Sequence, residues 1–214
     1  MAGLRELKKR QTRERIAAAA ADLFRRRGFD EVTVDDVARA ATVSRQTVFN
    51  YFPTKEAMVF DRDAEIEAAL VAAIRDREPG TTPVAAFRRH TRAFWERLEG
   101  VLRDGPLPHG FWEIIRNTPS LVAYAEVMSA RHARSVAAAL AAESGRPADD
   151  PVCHGIARAL CGANASVLGY GLERLVTGDD PPTVVSDALA KADEIYGLLA
   201  GGLDGASAGS PHGS

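Results

Sequence analysis

The sequence lacks the usual features of secreted, membrane-spanning and disulfide-bonded proteins. No apolar stretch approaches the roughly 18 residues that a membrane-spanning helix needs, and residues 1–15 are charged where a signal peptide would be apolar. The two cysteines, Cys153 and Cys161, lie about two turns apart in one predicted helix, too far for a disulfide. We therefore expect a cytoplasmic protein without membrane contact, whose cysteines serve in packing. A redox-sensing pair is the alternative.

Runs of β-branched residues are also scarce, and no segment has the convincing pattern of a strand. Alanine is abundant, and this composition favours helix throughout the chain. Hydrophobic residues make up 46% and charged residues 26% of the sequence, which is typical of a globular protein rather than a disordered one. The predicted fold class is therefore all-α.

Net charge is nearly absent, but the charges are unevenly distributed. The formal net charge is -2. Residues 1–60 contain 12 basic and 8 acidic residues, whereas residues 61–214 contain 15 basic and 21 acidic residues. A basic excess confined to one end of the chain favours a polyanionic partner there, such as double-stranded DNA.

Three helices are predicted in this basic region. The first runs from about residue 6 to residue 27 and ends at a glycine, which is the expected left-handed terminator. Thr33 and Asp36 have the spacing of a capping box, with Asp in place of the usual Glu, so a second, short helix begins at Thr33. Ser44 is the expected N-cap of a third helix, which Pro53 ends.

The second and third helices, with the tight turn between them, form a predicted helix-turn-helix. Val48 and Phe52, four residues apart, are the expected anchors of the third helix, so its other side chains are left to reach a major groove. Arginine pairs with guanine, glutamine and asparagine pair with adenine, and threonine and tyrosine hydroxyls bind phosphate. The candidate DNA-binding residues of this helix are Ser44, Arg45, Gln46, Thr47, Asn50 and Tyr51.

The stretch from Thr33 to Glu56, TVDDVARAATVSRQTVFNYFPTKE, resembles the signature of the TetR family of repressors. The resemblance covers residues 10–60 and implies an all-α protein, with three DNA-binding helices followed by a regulatory domain of about six helices. It also implies that the third helix faces DNA and that Thr33 and Lys55 bind phosphate. At Thr42 the family commonly has glycine. Because a β-branched residue disfavours the left-handed conformation, we expect a slightly different turn.

Some of these side chains have a second interpretation. Phe49 and Tyr51 could pack against the first helix, and residues 25–27 are expected to form a solvated helix end. The basic residues near the N-terminus could form a solubilising tail, although we favour contacts of this arm with phosphate or the minor groove. They are Arg5, Lys8, Lys9, Arg10 and Arg13.

Caps and helix breakers predict six further helices. The fourth helix runs over 55–77, and the others run over 82–103, 107–116, 118–144, 149–177 and 182–200. We therefore expect a DNA-binding domain with a basic arm at 1–54, a ligand-binding and dimerisation domain at 55–201, and a flexible tail at 202–214. In this arrangement the helix over 55–77 connects the two domains.

Aromatic residues make up only 7% of the sequence, but several of them cluster in the regulatory half. With a few polar groups they could line a cavity for a small apolar or aromatic effector, as the family resemblance also implies. Ordinary core packing is the alternative. The candidate pocket residues are Phe87, His90, Phe94, Trp95, Phe111, Trp112, Arg116, Tyr124, Met128 and Asn164. The histidines occur singly, without metal-binding spacing, so we expect no metal site and no cofactor.

The last two helices are the expected homodimer interface. The helix over 149–177 is rich in small residues, which suggests close backbone approach because glycine costs roughly 1 kcal/mol inside a helix. The last helix presents a broad apolar face. The family resemblance implies a four-helix interface, and burial within one subunit is the alternative. The interface candidates are Gly155, Cys161, Gly162, Ala165, Ser166, Gly169, Val184, Val185, Ala188, Leu189, Ala192, Ile195, Tyr196 and Leu199.

Together these features predict a transcriptional repressor rather than an enzyme. The sequence contains no HExxH or phosphate-binding-loop motif. We expect a dimer that reads a palindromic DNA operator with two recognition helices roughly 34–36 Å apart. A small molecule bound in the regulatory domain would release the operator. The alternative hypothesis is a ligand-independent DNA-binding repressor or activator.

Overall fold

The computed structural model describes residues 2–104 and 111–202, and within these ranges the chain forms ten α-helices and no strand. The all-α fold class is therefore confirmed. None of these helices is both long enough and apolar enough to cross a membrane. The expected tail, from Leu203 onwards, and the start of the helix predicted over 107–116 lie outside the described residues.

Most helix bounds lie close to the predicted ones. In chain order the helices are α1 (Ala2–Arg27), α2 (Val34–Ala40), α3 (Arg45–Tyr51), α4 (Glu56–Val59), α5 (Asp63–Arg75), α6 (Pro83–Asp104), α7 (Phe111–Asn117), α8 (Pro119–Ser144), α9 (Pro151–Val176) and α10 (Pro181–Gly201).

The prediction of one continuous fourth helix over 55–77 is wrong. α4 is followed by Phe60, whose φ of -101° and ψ of 46° lie outside the helical region, and α5 begins only at Asp63. The Phe60 ring stacks on Tyr124 with centroids 5.4 Å apart and packs against the surrounding core. Tertiary packing of this aromatic side chain therefore overrides the local helix preference.

The chain divides into two compact units. Unit 1 consists of Met1–Ala64 and Gly110–Glu126, and unit 2 consists of Glu65–His109 and Val127–Ser214. Unit 1 extends past the domain boundary expected at residue 54 because later residues join the buried cluster of the first three helices. These later residues are Ala57, Met58, Val59, Ile115 and Leu121.

Unit 1 is built on side chains that its three N-terminal helices bury completely. The side chains that are 0% exposed are those of Ile16 and Ala20 in α1, Val37 in α2, Val48 in α3, and Phe52 directly after α3. Burial of each large apolar side chain contributes roughly 1.5–3 kcal/mol. The prediction that Val48 and Phe52 anchor the third helix is therefore confirmed.

Local signals set the ends of these helices as predicted. Gly28, with φ of +83°, ends α1 in the left-handed conformation. The capping box of α2 is complete, because Thr33 Oγ1 accepts from Asp36 N and Asp36 Oδ2 accepts from Thr33 N. Ser44 Oγ accepts from Thr47 N at 3.0 Å and so caps α3.

Unit 2 is organised by α6, α9 and α10. Phe87, Thr91 and Trp95 follow one face of α6 at four-residue spacing and are 0% exposed. The Thr91 hydroxyl donates to Asn164 Oδ1 of α9 at 2.8 Å and accepts from the Tyr196 hydroxyl of α10 at 2.8 Å. One buried threonine therefore joins all three helices.

The two cysteines lie in α9, where both are free and buried. The prediction that Cys153 and Cys161 serve in packing, without a disulfide, is therefore confirmed. Burial raises the pKa of the Cys161 thiol to about 11. The thiol therefore stays protonated at neutral pH. A protonated thiol is a poor nucleophile, because the thiolate is the reactive form.

Candidate functional site

The turn between α2 and α3 determines how the third helix is presented. Val43 N donates to Ala38 O at 2.9 Å and Thr42 N donates to Arg39 O at 3.2 Å, which is the hydrogen-bond pattern of a Schellman motif. Among the described non-glycine residues, Thr42 alone has a positive φ, +54°. It thus adopts the left-handed conformation that glycine favours there, at a cost of roughly 1–2 kcal/mol.

Arg13, one of the residues predicted to form the basic arm, instead holds the end of α3. Arg13 donates from Nη1 to Tyr51 O at 2.9 Å and from Nη2 to Asp61 O at 2.7 Å. Its guanidinium lies 4.3 Å from the centroid of the Phe52 ring. The positively charged guanidinium of Arg13 satisfies the Tyr51 carbonyl at the C-terminus of α3, where a positive charge also complements the helix dipole. Arg13 is therefore a positioning residue for α3.

The exposed surface of α3 carries three of the predicted DNA-binding side chains, Arg45, Gln46 and Asn50. Gln46 Nε2 donates to Asn50 Oδ1 at 3.1 Å, so the two amides are ordered side by side. Both amides are groups that recognise adenine in a major groove.

The other predicted DNA-binding side chains at α3, Ser44, Thr47 and Tyr51, make contacts with other parts of the protein. Ser44 and Thr47 share a hydrogen bond between their hydroxyls at 2.7 Å, in addition to the N-cap. Tyr51 is half-buried and packs against the core of unit 1, as in its second interpretation, whereas Phe49 is 36% exposed. DNA contacts of Ser44, Thr47 and Tyr51 stay predictions.

The two predicted phosphate-binding residues also make internal contacts. Lys55 Nζ donates to Phe29 O at 2.8 Å and to Val32 O at 3.1 Å, and it lies 4.0 Å from the Phe29 ring centroid. The Thr33 hydroxyl donates to Asp36 Oδ2 at 2.7 Å. Lys55 thus ties down the loop before α2, with one ammonium N–H left over. Phosphate binding by either residue stays a prediction.

The hydrogen bonds from Thr33 lower the pKa of Asp36 to about 2, because they stabilise its charged form. Arg27 and Arg39 add favourable charge at 3.5 Å and 3.1 Å. The carboxylate is therefore ionised at neutral pH and keeps the capping box intact at the start of α2.

The basic arm is helical, because α1 already begins at Ala2. The side chains of Arg5, Lys8, Lys9 and Arg10 are exposed. At the other end of α1, Arg25 and Arg26 pair with Asp22 at 2.7 Å and 3.0 Å on the surface. This agrees with the interpretation of residues 25–27 as a solvated helix end.

The candidate pocket residues are distributed over both units. Phe87, Trp95 and Asn164 are buried in unit 2, where His90, Phe94 and Met128 are half-buried. Tyr124, stacked on Phe60, and the exposed Arg116 belong to unit 1. The side chains of Phe111 and Trp112 lie outside the described part of the structure.

Trp95, in unit 2, combines very close packing with a buried polar atom that lacks a hydrogen-bond partner among the described residues. A Cβ atom on Gly171 would lie 2.2 Å from the Trp95 ring, so the indole packs directly on the backbone of α9. Its Nε1–H is buried and has no hydrogen-bond partner among the described residues. A buried donor of this kind is costly to leave unpaired and is suited to an acceptor oxygen.

The interior of unit 2 disfavours charge. Burial lowers the pKa of His90, and the nearby Arg97 lowers it further. Burial also raises the pKa of the Tyr196 hydroxyl to about 12. These groups are neutral at pH 7, so a ligand among them would be stabilised by apolar contact and neutral hydrogen bonds. Within the described ranges no cluster of three or more histidine, cysteine or acidic side chains could hold a metal ion.

The two predicted interface helices differ in exposure. The apolar face of α10 is used inside unit 2, where Val184, Val185, Ala188, Ala192 and Tyr196 are buried. On α9, in contrast, the predicted small residues are exposed except for Cys161. A Cβ atom added to its glycines at 155, 162 or 169 would meet nothing within 4 Å. Packing within the protomer therefore does not explain these glycines.

Two family models match the sequence. The model of bacterial regulatory proteins of the tetR family matches residues 16–61, which contain the helix-turn-helix. The model of the MftR C-terminal domain matches residues 83–192, more than half of the chain.

Individual relatives agree with this assignment. TcmR of Streptomyces glaucescens, an HTH-type transcriptional regulator, is 34% identical over 145 residues, which are 64% of this chain and only 63% of TcmR. The transcriptional regulator MftR of Mycobacterium tuberculosis is 27% identical over 195 residues, 90% of this chain and 91% of MftR. A solved SmeT–triclosan complex has the same fold, with a TM-score of 0.54 at 21% identity over 89% of this chain and 91% of SmeT. The chain therefore belongs to the TetR family of bacterial regulatory proteins.

Proposed function

We propose that the protein is a cytoplasmic, homodimeric transcriptional repressor that binds a palindromic operator and releases it on binding an uncharged effector. The observation that carries the proposal is the exposure of Arg45, Gln46 and Asn50 on a short helix that is anchored by the completely buried side chains of Val48 and Phe52. An anchored helix with exposed amide and guanidinium groups suits base recognition in a major groove.

The DNA-binding surface includes more than α3. The exposed basic residues at the start of α1 add positive charge in the same unit, and such charge supplies affinity without sequence preference. Thr33 and the free N–H of Lys55 would bind backbone phosphates beside α2. Phosphate contacts set the register of the protein, and the amides of α3 then select the bases.

A second copy of the chain is proposed to cover the exposed face of α9. Gly155, Gly162 and Gly169 recur at seven-residue spacing on that face, and Val152 and Ile156 beside them are 51% and 40% exposed. Small residues let two helix backbones approach closely, and exposed valine and isoleucine gain from burial. Two-fold pairing would present two copies of α3 to two half-sites.

The effector site is proposed to lie inside unit 2, around Trp95, His90 and Asn164. Its neutral polar groups and aromatic side chains suit an apolar molecule with an acceptor oxygen for the indole N–H. SmeT, which shares the fold, is solved with the small molecule triclosan. Effector binding would favour a conformation with low operator affinity, and a coupling of about 1–3 kcal/mol would be enough to switch a promoter.

Fluorescence anisotropy with DNA from upstream of the protein's own gene tests the DNA-binding part of the proposal. We expect binding at least ~10³-fold tighter than to random DNA, with a steep salt dependence. Gln46→Ala and Asn50→Ala should each cost about 1–3 kcal/mol on the specific site. Should the upstream DNA give no selectivity, selection from random duplexes supplies an operator. Absence of any selected sequence would overturn the proposal.

A screen of uncharged aromatic ketones and phenols for release of that operator tests the effector part. Trp95→Phe should retain operator affinity but lose the response to compounds that depend on their oxygen, because it removes the N–H and keeps most of the ring. Release that is identical in the variant and the wild type would rule out Trp95 as the donor.

A further inference from the structure

Arg45, the first residue of the recognition helix α3, is held on two sides. Its Nη1 lies 2.9 Å from Asp35 Oδ2, which comes from the first turn of α2. Its guanidinium carbon lies 5.6 Å from the centroid of the Phe49 ring, one turn further along α3. A carboxylate from one helix and an aromatic ring from the other therefore restrict where the guanidinium can point.

This ion pair is poorly placed to stabilise the fold. The side chains of Arg45 and Asp35 are 60% and 52% exposed, and exposed ion pairs contribute little to stability. A carboxylate on the surface that meets DNA also repels phosphates at every sequence. The ion pair with Arg45 therefore does little for folding stability to offset the cost of Asp35 for DNA affinity.

We propose that Asp35 is a positioning residue that sets the sequence selectivity of the protein by orienting Arg45 toward a guanine. The inference rests on the proposed function, in which α3 enters the major groove. With Nη1 held by Asp35, the Nε and Nη2 edge of the guanidinium remains available to donate two parallel hydrogen bonds to guanine O6 and N7. Ordering this long side chain before binding reduces the entropy lost in the complex.

The proposal makes two predictions of opposite sign. Removal of the Asp35 charge frees Arg45 and so weakens binding to the guanine-containing operator. The same change removes a repulsion and so strengthens binding to random DNA. A structural defect would weaken both interactions, and a purely electrostatic effect would strengthen both. Only a positioning role separates the two DNAs.

The test uses the full-length protein and an operator selected by the wild type from random-sequence duplexes. Asp35→Asn should bind that operator about tenfold more weakly, the loss expected when one bidentate base contact is loosened. It should bind a scrambled duplex about twofold more tightly because it carries one negative charge fewer. Asp30→Asn, in the loop before α2, makes the same charge change outside this ion pair and should strengthen both interactions equally.

A double variant separates positioning from charge. On an Arg45→Ala background, Asp35→Asn should no longer weaken operator binding and should retain its effect on the scrambled duplex. Repeating the selection with Asp35→Asn should relax the preference for guanine at one base pair of each half-site. An unchanged preference, or equal shifts on both DNAs, would overturn the inference while leaving the proposed function intact. Failure of the wild type to select any sequence would overturn both.

Discussion

In unit 1 the polar side chains that would meet a partner lie at the surface and are ordered by charge, as in the contact of Asp35 with Arg45 at 2.9 Å. In unit 2 the polar side chains proposed to surround an effector include a buried, uncharged group that is ordered by hydrogen bonds, as for Thr91 between Asn164 and Tyr196. The first arrangement suits a highly charged, hydrated partner such as DNA. The second suits a small molecule that leaves water completely.

This difference also affects how the two units respond to substitution. Exposed charged groups contribute little to stability individually and act mainly on binding. Buried neutral groups are coupled to the packing of whole helices, so their loss changes the fold first.

Gly171→Ala, in unit 2, should produce the largest loss of folding stability. The new methyl group would lie 2.2 Å from the Trp95 ring, and Trp95 is 0% exposed with Phe94 edge-on to it. Overpacking of this kind should cost about 3 kcal/mol in the free energy of unfolding, measured by urea denaturation at fixed protein concentration. Gly100→Ala in α6, where a Cβ atom meets nothing within 4 Å, is the control and should be slightly stabilising. Equal effects of the two substitutions would contradict the close packing of Trp95 on α9.

Arg13→Met should produce the largest loss of folding stability among the substitutions in unit 1. It keeps the aliphatic part of the side chain but removes two hydrogen bonds from a charged donor, to Tyr51 O and Asp61 O. Hydrogen bonds to charged groups contribute about 1.5–3 kcal/mol, so we expect a loss of about 2 kcal/mol by the same denaturation measurement and weaker operator binding. Arg10→Met is the control, because Arg10 is exposed and lies 3.7 Å from Glu14. Similar costs for the two variants would refute the role of Arg13.

Signals confined to a few neighbouring residues were predictable from the sequence. The capping box at Thr33, the N-cap at Ser44 and the anchors Val48 and Phe52 each depend on residues within one or two helical turns. The exposed surface of α3 that we propose faces DNA therefore follows from local pattern, together with the family resemblance of this stretch.

Contacts between distant residues were not predictable in this way. Arg13 meets carbonyls 38 and 48 residues further along the chain, and Phe60 interrupts a helical pattern to stack on Tyr124. The apolar face of α10 is the same whether a second subunit or the same protomer covers it, so its periodicity could not distinguish the two. Such features depend on packing partners that sequence spacing does not identify.

Thr42→Gly, in the turn between α2 and α3, should increase folding stability, by less than the two preceding substitutions reduce it. Thr42 has φ of +54°, and release of a β-branched residue from the left-handed region should stabilise the protein by about 1 kcal/mol. Ala40→Gly, two residues earlier in α2, should instead destabilise it by about 1 kcal/mol because glycine is a poor helix former. Thermal unfolding of the two variants shows directly whether each substitution raises or lowers the stability of the protein. Destabilisation by Thr42→Gly would mean that the turn gains from threonine more than its conformation costs.

The smallest effect concerns the acid sensitivity of the capping box in unit 1. Because Asp36 has a pKa of about 2 in the folded protein against an ordinary value of 3.8, its stabilising contribution is complete above about pH 4 and is lost as the pH falls toward 2. Asp36→Asn cannot lose a charge, so the gap in melting temperature between wild type and variant should narrow over this range. Asp30→Asn serves as the control for the general loss of one carboxylate. A gap that stays constant down to pH 2 would show that the charge of Asp36 does not stabilise the start of α2. The contrast with unit 2 would then depend on the Asp35–Arg45 ion pair at the surface proposed to meet DNA.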